Sequence, residues 1–157
     1  MPPQTPEMRL EALGIVLPAS SNPAGNYANA MRTGNLLYCS GKAPLPVSGQ
    51  MPCGRLGREF TAEQGYKFAR SAAIDVLAVL KAELGDLSRV VRAVELQGFV
   101  NATAEFEDHP KVLDGASDLL AEVFGDRGLH ARSVFGATSL RKQVPVVLRS
   151  IFEVRDF

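Results

Sequence analysis

The chain has 157 residues, 46% hydrophobic and 22% charged, with seventeen basic side chains balancing seventeen acidic ones. That is the size of one ordinary domain, able to bury about two thirds of its unfolded surface without a metal or disulfide staple. Zero net charge gives no support to a nucleic-acid partner, which needs a cationic surface to neutralise phosphates.

Residues Met1 to Pro6 hold three prolines and read as loose. Glu7 to Leu13 spaces Met8, Leu10 and Leu13 as the apolar contacts of a short helix, closed by Gly14. Pro18 to Gly25, rich in Pro, Ser, Asn and Gly, predicts a loop. Tyr27 to Met31 and Leu36 to Gly41 flank the turn Thr33-Gly34-Asn35 and predict a hairpin that opens a sheet. Ala43 to Arg58 carries three prolines and three glycines, hence a long irregular excursion.

Thr61 and Gln64 fit a capping box, in which each side chain satisfies an amide that the first helical turn leaves unpaired. Ala69, Ala73, Val76, Leu77, Leu80 and Leu84 then recur on one helical face, and Gly85 ends the run. Val90 to Val100 predicts a strand with imperfect alternation, placing Val91, Ala93, Glu95 and Gln97 on one side. Asp108 is the predicted N-cap of a second long helix, with Pro110 in its first turn. Its buried stripe is Leu113, Ala116, Ser117, Leu120, Val123 and Phe124, closed by Gly125. Strands are predicted at Ala131 to Thr138 and Val144 to Val154.

The order β-β-α-β-α-β-β predicts a single α+β domain over residues 1–157, with 1–14 as an N-terminal extension and two helices on one face of one sheet. The last strand is apolar at Val144, Val146, Val147, Leu148, Ile151, Phe152 and Val154. A strand wet on one face alternates, so this one is expected to be covered on both. No third long helix is available as a cover. A second copy of the chain is the economical one, and a monomer is the alternative.

Cys39 and Cys53 form no CxxC pair and read as small apolar thiols in a reducing compartment. His109 and His130 are far apart, with no HExxH spacing, so no metal is expected. The sequence has no GxGxxG and no P-loop, and no cofactor is expected. No Ser-His-Asp arrangement is readable. Met1 to Leu13 lacks a basic patch followed by an apolar run, and no apolar stretch approaches the roughly 20 residues of a membrane span. The expectation is a cytoplasmic protein with no membrane partner.

Three groups of residues resemble a known family. Gly25-Asn26-Tyr27 with Thr33-Gly34-Asn35-Leu36-Leu37-Tyr38-Cys39-Ser40-Gly41 resembles the opening hairpin of RidA/YjgF (endoribonuclease L-PSP-like) proteins. His130-Ala131-Arg132-Ser133-Val134 resembles their arginine strand, followed at the expected distance by Val144 to Val154. Gly98-Phe99-Val100-Asn101 and the segment from Lys111 to Gly125 are similar to a longer, uncharacterised branch. The resemblance spans Leu10 to Val154. It implies a chorismate-mutase-like fold, a homotrimer whose sheets form a central barrel, and a cleft at each subunit interface.

On its own, Arg132 at a strand start reads as a surface or ion-pair residue. In RidA-like proteins the matching arginine grips the substrate carboxylate, and a guanidinium fork suits that task because it pairs bidentately and stays charged. Tyr27 matches a tyrosine that shapes the cleft, with a half-buried hairpin aromatic as its plainer role. Gly41 and Val134 match positions that offer backbone groups to ligand or water, and Ser40 and Ser133 are lesser candidates. Counting along the last strand puts Arg149 where deaminase-active members carry a glutamate. A cation cannot take a proton from water there. Val134 also replaces a cysteine and Lys42 a glutamine. Arg132, Arg149 and Lys42 converging would suit a dicarboxylate or a phosphate; the alternative pairs Arg149 with Glu153 or a neighbour's acid. His130 either lines the cleft or faces solvent.

The resemblance implies hydrolysis of a small carboxylate-bearing enamine or imine to a keto acid and ammonia at a subunit-interface cleft. The alternative is a non-catalytic trimeric binder or sensor of a small anionic metabolite, which Arg149 favours. A ribonuclease label carried by some members finds neither a basic surplus nor a basic-aromatic stripe here.

Overall fold

A computed structural model describes residues 2–156; Met1, part of the stretch read as loose, and Phe157 lie outside them. The first helix, α1 (Pro6–Ala12), is capped by Thr5, whose Oγ1 accepts from the Met8 amide at 3.2 Å. Of its three expected apolar contacts only Leu10 is buried. Met8 and Leu13 stay 50% and 40% exposed, because a helix of about two turns presents one face to the core. The hairpin is β1 (Ala30–Thr33) and β2 (Leu36–Lys42). Tyr27 lies outside β1, in the loop that precedes it.

The long helix α2 (Ala62–Leu84) starts with the expected capping box: Thr61 Oγ1 accepts from the Gln64 amide, and Gln64 Oε1 accepts from the Thr61 amide. Ala69, Ala73, Val76, Leu77, Leu80 and Leu84 are all buried, and Gly85 stops the helix at φ +77°. The second long helix, α3 (His109–Phe124), begins at the expected place but without a side-chain cap. Asp108 has φ −89° and ψ 33°, not the extended backbone that aims a capping carboxylate at the next amides. Its buried stripe also takes in Val112 and Leu119, because α3 packs on α2 as well as on the sheet, while Ser117, expected in the stripe, is only half-buried. Gly115 sets how closely the helices approach: a Cβ there would overlap the Tyr66 carbonyl oxygen.

Five strands form one sheet in the order β1-β2-β5-β3-β4, with β3 (Val90–Asn101), β4 (Ala131–Ala137) and β5 (Val146–Val154). All neighbours are antiparallel except β3 and β4, which run parallel because α3 crosses between them. The imperfect alternation of β3 has a cause. Its register against β5 shifts between Val90 and Arg92 and again between Ala93 and Glu95. Each shift moves later side chains to the other face. Ala93 consequently pairs with Phe152 on the buried side, apart from Glu95 and Gln97.

The final strand starts at Val146, two residues later than expected, since Pro145 uses its carbonyl to receive the Asn101 amide. Along it Val146, Leu148, Ser150, Phe152 and Val154 are buried beneath the helices. Val147 and Ile151 are half-buried and Arg149 is exposed on the opposite, outer face. Within one chain β5 is therefore covered on one side only. The outer face also presents Met31, Tyr38 and Phe135, 63%, 37% and 51% exposed, an apolar surface without a cover in the single chain. Among the described residues no helix is long and apolar enough to cross a membrane.

Candidate functional site

Arg132 sits on the edge strand β4, in register with Leu96 of β3, and its side chain reaches over the start of α3. Nη1 lies 2.7 Å from Asp114 Oδ1 and donates to Ser117 Oγ at 3.2 Å, while Nη2 donates to the Pro110 carbonyl at 3.3 Å. Positions 110, 114 and 117 fall on one stripe of the helix, so three successive turns hold the fork. Its Nε–H has no acceptor among the described residues. Arg132 thus takes the ion-pair role weighed for it, and its side chain stays 28% exposed.

His130 is tied into the same group and does not simply face solvent. Its Nδ1 is 2.7 Å from the Gly128 carbonyl and its Nε2 is 2.9 Å from Ser117 Oγ. A carbonyl can only accept, so Nδ1 carries the proton and Nε2 of the neutral ring accepts from Ser117. Ser117 and His130, with Asp118 and Leu129, line a cavity of about 510 Å³.

The opposite side of the sheet gathers Tyr27, Ser40, Gly41 and Arg149. Tyr27 is 53% exposed and folds back on its own loop, its Oη accepting from the Ala24 amide at 3.1 Å. With Gly41, Met51, Arg141, Lys142 and Val147 it lines a cavity of about 300 Å³. With Ser40, Tyr38, Met31 and Arg149 it borders a shallow recess of about 370 Å³. The Ser40 hydroxyl donates to the Ala28 carbonyl at 2.7 Å, the backbone-satisfying role that suits a serine there.

The expected convergence of cations is corrected. Lys42 is only 5% exposed and points beneath the sheet, donating to Ser21 Oγ (3.0 Å) and Asn29 Oδ1 (2.7 Å). Ser21 in turn donates to buried Asp75 at 2.7 Å. Arg149 stays on the outer face, where Nη1 donates to Gln97 Oε1 at 3.1 Å and lies 3.9 Å from Glu95. It does not pair with Glu153, which meets Arg92 at 3.2 Å. The β5 side chain beside Gly41 is Val147, whose Cγ1 would be 3.1 Å from a Cβ placed there; Arg149 stands one pleat farther along. Neither position supplies a carboxylate.

Val134 is half-buried against the core, opposite Gly98, and Ser133 is exposed on the outer face, opposite Gln97. Three strand steps separate β2 from β4. At roughly 4.8 Å per step, Gly41 and Arg132 of one chain are about 14 Å apart across the sheet, on opposite faces. One chain does not bring them onto one small ligand.

Sequence reasoning missed Asp114, Ser117, Arg141 and Lys142. The spacing of 110, 114 and 117 was the available signal for the first two. Arg141 and Lys142 lie in a 3₁₀ turn, Arg141–Gln143, whose shape depends on positive φ at Lys142 (+55°) and Gln143 (+54°), which no local residue pattern announces. Of the cysteines, Cys39 is buried, which pushes its thiol up to about 11, so it stays protonated and inert; Cys53 is exposed.

Residues 7–151 match the family model described as "YjgF/chorismate mutase-like, putative endoribonuclease". Protein TCP17 of Trypanosoma cruzi is 38% identical over 148 residues, covering 94% of this chain and 92% of that protein. The crystal structure of a "putative endoribonuclease" from Shewanella oneidensis superposes with a TM-score of 0.92 at 36% identity, covering 96% of this chain and all of that one. Protein Atu1372 of Agrobacterium tumefaciens, described as of unknown function, superposes with a TM-score of 0.88 at 38% identity, over 96% of this chain and 92% of that one.

Proposed function

The chain belongs to the YjgF/chorismate mutase-like family, and from that premise we propose that it binds a small carboxylate-bearing enamine or imine in a cleft between copies and hydrolyses it. The observation that supports this best is a division of labour. The fork of Arg132 lies at one edge of the sheet, and the Tyr27–Gly41 cavity opens three strands away on the other face. A trimer that covers the apolar outer face would bring the Arg132 edge of one copy to the cavity of the next.

In this reaction Arg132 holds the carboxylate; an enamine first takes a proton at its β-carbon and becomes the imine, water adds to the C=N carbon to give a carbinolamine, a proton passes from the added oxygen to nitrogen, and the C–N bond breaks to leave ammonia and a keto acid. The imidazole of His130 lies one serine away from the fork, joined to it through the Ser117 hydroxyl. The test is ammonia and keto-acid release from 2-aminoacrylate generated in situ. Arg132→Ala is expected to lower kcat/KM by about 10- to 100-fold, the worth of a charge-assisted hydrogen-bond pair. No acceleration over buffer by the folded wild-type protein removes the hydrolase assignment.

A second function, binding without turnover, is favoured by the missing carboxylate: Val147 and Arg149 occupy the outward positions of β5 near Gly41. Val147→Glu and Arg149→Glu separate the two. A gain of hydrolysis in either, from an inactive parent, assigns the native cleft to binding alone.

A further inference from the structure

The Tyr27–Gly41 cavity of about 300 Å³ adjoins a second of about 240 Å³, and the two share Tyr27, Gly41, Ala43, Met51 and Arg141. Together they reach the scale of a small-metabolite pocket. Their walls carry charge that the family resemblance did not assign. Lys42 and Asp75 line the inner cavity, Lys142 the outer one, and Arg141 both.

These cations differ in how they are held. A Lys ammonium has three N–H donors; Lys42 uses two, on Ser21 and Asn29, and is 95% withdrawn from solvent, being 5% exposed. The side chains of Arg141 and Lys142 have no hydrogen-bond or ion-pair partner among the described residues. Asp75 accepts two hydrogen bonds from Ser21, at 2.7 and 3.4 Å, and is the sole acid in either wall. Lys42 and Arg141 against Asp75 leave one positive charge around the inner cavity, and Lys142 adds another at the outer one. The backbone is bent to this end: Lys142 and Gln143 both take left-handed φ, a conformation that costs a residue with a Cβ and that clusters at ligand sites.

We propose that Arg141 and Lys142 form an anion grip in this cavity, and that the ligand carries two anionic groups, a carboxylate or phosphate at this end and a carboxylate at the other. The second half of that statement rests on the function proposed above, in which the other carboxylate meets Arg132 of a neighbouring copy. A monoanion would leave one of the two cationic centres unpaired. A ligand with an anionic group at each end satisfies both.

The experiment is isothermal titration of the full-length protein with succinate, 2-phosphoglycolate and butyrate. Succinate, 2-phosphoglycolate or both are expected to bind at least about tenfold more tightly than butyrate, as one added charge-assisted contact provides. Tighter succinate assigns a carboxylate to the cavity, and tighter phosphoglycolate a phosphate. In Arg141→Gln/Lys142→Asn the preference is expected to fall to within about twofold of unity. Asparagine tolerates left-handed φ and both native side chains are exposed, so the fold is spared, which circular dichroism verifies. Equal binding of all three by the wild type, no binding of any, or a preference that survives the double substitution overturns the anion grip. Arg132→Ala separates the two proposals: a preference over butyrate that persists with no loss of affinity leaves the grip standing and removes Arg132 from the site.

Discussion

Arg132 meets an incoming carboxylate with Asp114 already 2.7 Å from its Nη1. The acid orients the fork, and it also competes for it. Asp114 is 48% exposed and leaves at small cost to the fold, while Ser117 and the Pro110 carbonyl still hold the guanidinium in place. Asp114→Asn is therefore expected to tighten binding of a small carboxylate by about two- to fivefold, the worth of an exposed ion pair in the upper part of its range. Titration with butyrate measures it; a weaker complex would mean that Asp114 serves chiefly to aim the fork. At this scale much was legible. The strands that carry Arg132 and Gly41 were readable from residue order, and the part of those residues and Tyr27 in a site belongs to the function proposed above. Lys42 was misplaced because the register of β2 against β5 shifts between Cys39 and Lys42, and that shift turns the side chain toward the helices. Arg141 and Lys142 were overlooked because a cation pair in a loop carries no periodicity to mark its direction.

The helices depend on one close approach. Gly115 of α3 lies against the Tyr66 carbonyl of α2, and backbone cannot yield as a flexible side chain can. Gly115→Ala is expected to lower the unfolding free energy by about 1–3 kcal/mol or more through overpacking, which urea titration reads. An unchanged midpoint would place the two helices farther apart than described. Element existence and order were readable because capping, helical spacing and turn residues agree with one another, as in α2 from Thr61 to Gly85. Element faces were less so. The two register shifts of β3 come from pairing with β5, a strand more than fifty residues away, and nothing within β3 encodes them. The start of α3 was legible and its cap was not, since Asp108 is the right residue type on the wrong backbone.

For the whole molecule, the dense apolar sequence of β5 was taken to mean burial on both faces, and one chain buries only one. Met31, Tyr38 and Phe135 leave an apolar outer surface, and covering such a surface is the usual reason for a permanent oligomer. The same packing would complete a site whose halves lie on separate strands and separate faces. That union of Arg132 from one copy with the Tyr27–Gly41 cavity of another is tested most directly by complementation. Arg132→Ala removes the fork, and Gly41→Leu fills the cavity; each variant alone is expected to lose small-carboxylate binding. Co-refolded as a mixture they form assemblies in which some interfaces join an intact fork to an intact cavity, so titration should recover part of the wild-type binding. Two inactive variants that stay inactive when mixed, with mixed assemblies demonstrated by mass, would contradict a site built between copies.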